Sequence, residues 1–236
     1  MISIKNTSLA AAIALLGLAA NANAADSADL TVTGTVKSPA CGITLSGGGN
    51  ANFGPLARSL LKSDRSVGVG AKPITATVQC DEDTLLSLKV VDTKPTEKPA
   101  EAMNFTFEGT TIPGASTSHG NDFILGLGLS PDDTPIGGYL LAFGKPKVDG
   151  TDAFYITANS TNTTAYTNYD ANVLYFRKDS QTYFGANSNG TAIMNMPGKV
   201  HEYPMAVAVS LDMSGRIPGD QDIILNGRAT LEVVYL

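Results

Sequence analysis

Apolar side chains recur at every second residue in one run of this chain after another. No stretch of ten or more residues outside the first 24 carries helical spacing. Period two sends successive side chains to opposite faces of a strand, so a fold for this chain must bury one face of many strands. Ile74, Ala76, Val78 and Cys80 alternate with Thr75, Thr77 and Gln79, and Leu86, Leu88 and Val90 with Ser87 and Lys89. Met205, Val207, Val209 and Leu211 repeat the pattern. So does the last run, Ala229 to Leu236, whose apolar odd positions extend back through Leu225 to Ile223. Leu30, Val32, Gly34 and Val36 alternate with Thr31, Thr33 and Thr35, which predicts a half-buried strand ended by Pro39 and Cys41. Shorter strands are predicted at 103–107, 123–129, 154–158, 173–176 and 182–184, and one short helical turn between Ala57 and Lys62. With 24 Gly and 12 Pro to punctuate these runs, the reading is an all-β antiparallel sandwich.

Residues 1–24 read as a secretory signal peptide. Lys5 is the single charge, an apolar run follows from Leu9 to Ala20, and Ala22-Asn23-Ala24 forms a small-residue cleavage site. The run is shorter than the ~20 residues that span a bilayer. What remains, 25–236, reads as one domain, with no internal repeat and no linker. The formal net charge is −6 and becomes more negative once Lys5 is removed, so electrostatics favours neither nucleic acid nor anionic lipid. In an exported chain an isolated cysteine pair such as Cys41 and Cys80 reads as a disulfide, with two buried free thiols as the alternative.

Nothing in the sequence assembles a catalytic centre. There is no Gly-x-Ser-x-Gly elbow, no His-Glu-x-x-His, no phosphate loop and no calcium loop, and nothing implies a cofactor. The two histidines, His119 and His201, stand at no metal-ligand spacing from a cysteine and read as surface residues. The chain is expected not to be an enzyme.

Several local patterns together resemble a known class. Ala28-Asp29-Leu30-Thr31-Val32-Thr33-Gly34-Thr35-Val36 leads to Pro39-Ala40-Cys41. Leu45-Ser46-Gly47-Gly48-Gly49 is followed by Asn52-Phe53-Gly54, then by Ala76-Thr77-Val78-Gln79-Cys80-Asp81. The ending runs from Ile224-Leu225-Asn226-Gly227 to the penultimate Tyr235. This order is similar to that of fimbrial (pilin-like) subunits assembled by the chaperone–usher pathway, and in particular resembles a poorly characterised branch of exported pilin-like proteins. The likeness covers roughly 25–95 and 201–236.

The resemblance implies an immunoglobulin-like sandwich that lacks one strand, with a hydrophobic groove beside the C-terminal strand. A periplasmic chaperone fills that groove first. At the outer-membrane usher the N-terminal extension of a neighbouring subunit then replaces it, and the product is a surface fimbria. On this expectation Leu231, Val233 and Tyr235 line the groove, and the Leu236 carboxylate meets basic residues of the chaperone. Ala28, Leu30 and Val32 are donor side chains. Two departures stand out. Ile223 lies near the place where many such subunits carry a glycine, and only Ala25 to Asp29 precede the predicted first strand. Residues 144–200 read as an insertion in the second half. Its Tyr155, Tyr166, Tyr169, Tyr175 and Tyr183 suit contact with a host glycan or protein, or else pack beneath solvated loops. The alternative function is a stand-alone secreted sandwich that binds a carbohydrate or a host-surface ligand.

Overall fold

The computed structural model describes residues 30–37, 39–112, 118–158, 167–169, 173–178, 183–188, 195–217, 219 and 222–236. The expected signal peptide and Ala28 lie outside them. The chain divides into two units, Met1–Lys37 and Ser38–Leu236. In the first, residues 30–37 form no strand, and Leu30, Val32 and Val36 are 90%, 88% and 100% exposed. The half-buried strand predicted there is corrected. Alternation records that one face is fit for burial, but a strand also needs a neighbour to satisfy its backbone, and this segment has none among the described residues.

The second unit begins with β1 (Cys41–Leu45), β2 (Val67–Thr84), β3 (Leu86–Asp92), β4 (Met103–Asn104) and β5 (Ser118–His119). It continues with β6 (Leu125–Gly126), β7 (Gly137–Phe143), β8 (Lys147–Val148), β9 (Thr151–Asp152) and β10 (Phe154–Ala158). The last five are β11 (Thr167–Tyr169), β12 (Leu174–Tyr175), β13 (Tyr183–Asn187), β14 (Gly198–Leu211) and β15 (Ala229–Tyr235). Every pairing is antiparallel. The only helical pieces among the described residues are short 3-10 turns, one of them, Arg58–Leu60, inside the turn predicted between Ala57 and Lys62.

One sheet runs β1-β2-β14-β7-β12, with β6 beside β7, and β8 and β9 beside β14. The other runs β11-β10-β13-β3-β15, and β4 and β5 form a separate ribbon. The two sheets enclose a core in which Ile74, Val78, Leu141, Met205 and Val209 meet Leu86, Leu88, Val90, Tyr155 and Phe184. At its centre Phe143, Tyr155, Phe184 and Tyr203 interlock, and the Tyr155 hydroxyl donates to the Gly144 carbonyl at 2.8 Å. Residues 144–200 do not stand apart as an insertion, because β10 and β13 are internal strands of the second sheet.

The sequence reading passed over β7 for a physical reason. Its odd residues Tyr139, Leu141 and Phe143 enter the core between the sheets. Its even residues Leu140 and Ala142 enter a second cluster on the outer face, under Met103, Phe105, Ile112 and Ile124. A strand buried on both faces carries no polar alternation. The predicted strand at 123–129 contracts to β6, flanked by a 3-10 turn at Asn121–Phe123. At Gly126 a Cβ would collide with the Lys94 carbonyl oxygen, so this close backbone approach requires glycine.

Candidate functional site

β15 is an edge strand. It pairs with β3 in the register Leu231↔Val90, Val233↔Leu88 and Tyr235↔Leu86. Two bonds at its ends fix the parity of the ladder: Thr93 N–H donates to the Arg228 carbonyl at 3.1 Å, and Leu236 N–H donates to the Leu85 carbonyl at 3.2 Å. In an antiparallel ladder the bonded residues alternate. The even residues of β15 therefore spend their backbone groups on β3, and the odd residues, Ala229, Leu231, Val233 and Tyr235, turn theirs outward. Among the described residues no strand takes them. The same odd parity directs the Ala229, Leu231 and Val233 side chains against the core, where they stay partly exposed.

Across from this edge stand β1 and the segment that follows it. Leu45 and Phe53 face Ala229 and Leu231 over a hollow of about 270 Å³ floored by Ile74 and Met205. Asn50, Ala51, Phe53 and Leu225 also line a second hollow of about 590 Å³, so the two are continuous. The second is bounded by Leu56, Leu61 and Ile223. The result is an apolar groove along one side of the sandwich, between the sheets, where a strand is missing from between β1 and β15. β1 is pinned to β2 by the Cys41–Cys80 disulfide (S–S 2.04 Å), in which the two cysteines are direct ladder partners. That disulfide confirms the pairing expected from the sequence.

The predicted groove residues separate by parity. Leu231 and Val233 line the core side of the edge. Tyr235 is 48% exposed, and its hydroxyl accepts the Cys41 backbone N–H at 3.1 Å, which ties the end of β15 to the start of β1. Leu236 corrects the expectation. Being even, its side chain packs on the opposite face against Ile156 and Ala158, away from the groove. Of the donor positions, Leu30 and Val32 are exposed in the first unit. The wall residues Leu45, Phe53, Leu56 and Leu61 were missed, although the apolar spacing in Phe53 to Leu61 was a usable signal.

Neither histidine is at the surface. His119 is buried against Phe105, Phe123 and Tyr175, with the Tyr175 ring centroid 4.6 Å away. His201 lies inside β14, its Nε2 3.0 Å from the Gly198 carbonyl, and burial holds its imidazole below the ordinary histidine value. Tyr155 belongs to the core, and Tyr175 and Tyr183 are half-buried. Tyr166 and the Tyr169 side chain lie outside the described residues. Among the described residues no three His, Cys, Asp or Glu side chains group to hold a metal ion.

Comparisons with known proteins fit a fold described mainly by its own geometry. A protein-family model described as a protein of unknown function (DUF1120) matches residues 30–140. An uncharacterized protein of Escherichia coli K12, YhcF, is 24% identical over 229 residues, a span of 92% of this chain and 94% of its own length. No solved structure matches. Neither relative's description names an activity or a partner.

Proposed function

We propose that this chain is an exported structural or adhesive subunit of a surface fibre, joined to its neighbours by strand addition into the β15 groove. The observation that carries the reading is the parity of β15. The residues that offer unpaired backbone groups at the edge, Ala229, Leu231 and Val233, are also those whose side chains leave the core partly open. An incoming strand there gains a hydrogen-bonded ladder and apolar burial at once. Without one, such an edge favours aggregation.

The other half of the device is the segment 30–37, where Leu30, Val32 and Val36 are exposed at alternate positions. Since the first strand starts at Cys41, the extension is longer than the sequence suggested and includes all of these residues. In a fibre this segment of one subunit occupies the groove of the next. Before assembly a periplasmic chaperone protects the groove, and an outer-membrane usher brings subunits together. The resemblance to chaperone–usher subunits supplies these partners and the route through the periplasm to the cell surface. A non-enzymatic role accords with a groove lined by apolar side chains.

The test is thermal unfolding of the oxidised chain 25–236 with and without a tenfold excess of a peptide copying Ala25–Lys37. The reading predicts low stability or aggregation alone and a large rise in melting temperature with the peptide. A Leu231→Glu variant should lose that rise. A cooperative high-temperature melt unmoved by the peptide would instead favour a stand-alone binding module.

A further inference from the structure

Away from the groove, two lysines and an arginine converge on one 3-10 turn, Asn121–Phe123. Lys98 Nζ donates to the Asn121 carbonyl at 3.1 Å. Lys178 Nζ donates to the Ile124 carbonyl at 3.0 Å, and its backbone N–H to the Asp122 carbonyl at 3.1 Å. The two ammonium groups thus meet over the ends of a single turn. Burial, and then contact with Lys178, push Lys98 down to about 8, against the opposing pull of Asp92 and Asp122. The Arg177 guanidinium lies 5.2 Å from the centre of the Phe123 ring and 3.8 Å from the Asp122 carboxylate.

Aromatic surface adjoins these charges. Phe123 and Tyr175 flank the buried His119 ring, at 5.3 and 4.6 Å between centroids, and Phe107 packs edge-on to Tyr175 at 6.0 Å. All three outer rings are half-buried and so keep an accessible part. Of the two nearby acids, Asp92 already accepts the Lys94 and Gly126 backbone N–H groups. On a chain of net charge −6, two lysines held together beside open rings form an unusual surface.

We propose that this surface binds an acidic sugar, with its carboxylate or sulfate between Lys98 and Lys178 and the C–H-rich face of its ring against Phe123 and Tyr175. An anion placed there relieves the repulsion between like charges and makes charge-assisted hydrogen bonds to both ammonium groups. The half-buried rings offer apolar area to the sugar while Arg177 stays stacked on Phe123. An isolated inorganic anion would use the charges and leave the rings unused. This proposal stands apart from the fibre reading, since no residue of the groove enters it.

The test is calorimetric titration of the chain 25–236, with the Ala25–Lys37 peptide in excess so that the state of the groove is fixed. The probes are a sulfated glycosaminoglycan tetrasaccharide, an oligogalacturonate tetramer that carries only carboxylates, neutral cellotetraose, and inorganic sulfate. Saturable one-to-one binding of an acidic saccharide is expected, with cellotetraose and sulfate at least tenfold weaker. Whichever acidic probe binds identifies the anionic group. A Lys98→Gln/Lys178→Gln variant should bind at least tenfold more weakly at an unchanged melting temperature, and Lys199→Gln should bind as the parent does. Chemical-shift mapping on the unmodified chain should place the perturbed amides at 121–124 and 175–178, a readout that needs no variant. The proposal is overturned if neither acidic saccharide binds, if sulfate alone binds as tightly, if the perturbed amides lie elsewhere, or if Lys199→Gln loses as much affinity as the double variant.

Discussion

The Tyr235 hydroxyl accepts the backbone N–H of Cys41, 194 residues earlier in the chain, at 3.1 Å. This bond joins the last strand to the first at one end of the groove, where both flank the gap. Because Cys41 is also bonded to Cys80, the tie runs from β15 through β1 into β2. Replacing Tyr235 with Phe removes an ordinary hydrogen bond and should lower stability by about 1 kcal/mol in denaturant titration. The same variant should speed exchange of the Cys41 amide, since that donor is then left to solvent.

The disulfide carries more. It closes a loop with a sequence separation of 39, for which chain entropy gives about 4 kcal/mol. A Cys41→Ala/Cys80→Ala variant should lose stability of that order, read as a lower denaturant midpoint at an unchanged slope. Since β1 forms one wall of the groove, the variant should also respond less to the Ala25–Lys37 peptide. An unchanged response would show that β1 keeps its place on β2 without the bond.

His201 gives the chain a pH dependence with a defined sign. Its folded-state value lies below the ordinary one because burial disfavours the imidazolium; the Gly198 carbonyl and the Asp149 carboxylate oppose this only in part. The neutral form therefore stabilises the fold. That contribution is complete above the unfolded value of about 6.5 and is lost as pH falls through the folded value. Melting temperature should drop between neutral pH and about pH 5, more steeply than in a His201→Gln variant. Parallel profiles for the two proteins would assign the acid sensitivity to other groups.

Gly126 tests the packing of β6. Ala at this position directs a methyl group into the Lys94 carbonyl, and backbone cannot yield as a flexible side chain can. The expected cost is about 3 kcal/mol or more, measured by thermal or denaturant unfolding.

Most of the sandwich was legible because its strands have one face in the core. β2, β3, β14 and β15 announce themselves by alternation, and the Cys41–Cys80 pair follows from compartment and count. β7 did not, because its two buried faces erase the period. The segment 30–37 shows the converse: its alternation is as clear as that of β3, yet it has no strand partner. Leu231 and Leu236 illustrate the limit within the site. Both are apolar residues of one C-terminal run, but parity sends one toward the groove and the other to Ile156 and Ala158. The walls from Leu45 to Leu61 depend on how an irregular segment folds back, which period cannot encode.

The central claim is that the odd residues of β15 face an open edge, and residue-resolved amide hydrogen exchange reads this directly. In the chain 25–236 alone, the Leu231 and Val233 amides should exchange quickly while those of Glu232 and Val234, bonded to β3, are protected. Adding the Ala25–Lys37 peptide should protect Leu231 and Val233 and leave the even residues as they were. Protection of the odd amides without any peptide, or their continued fast exchange when it is saturating, would contradict the account.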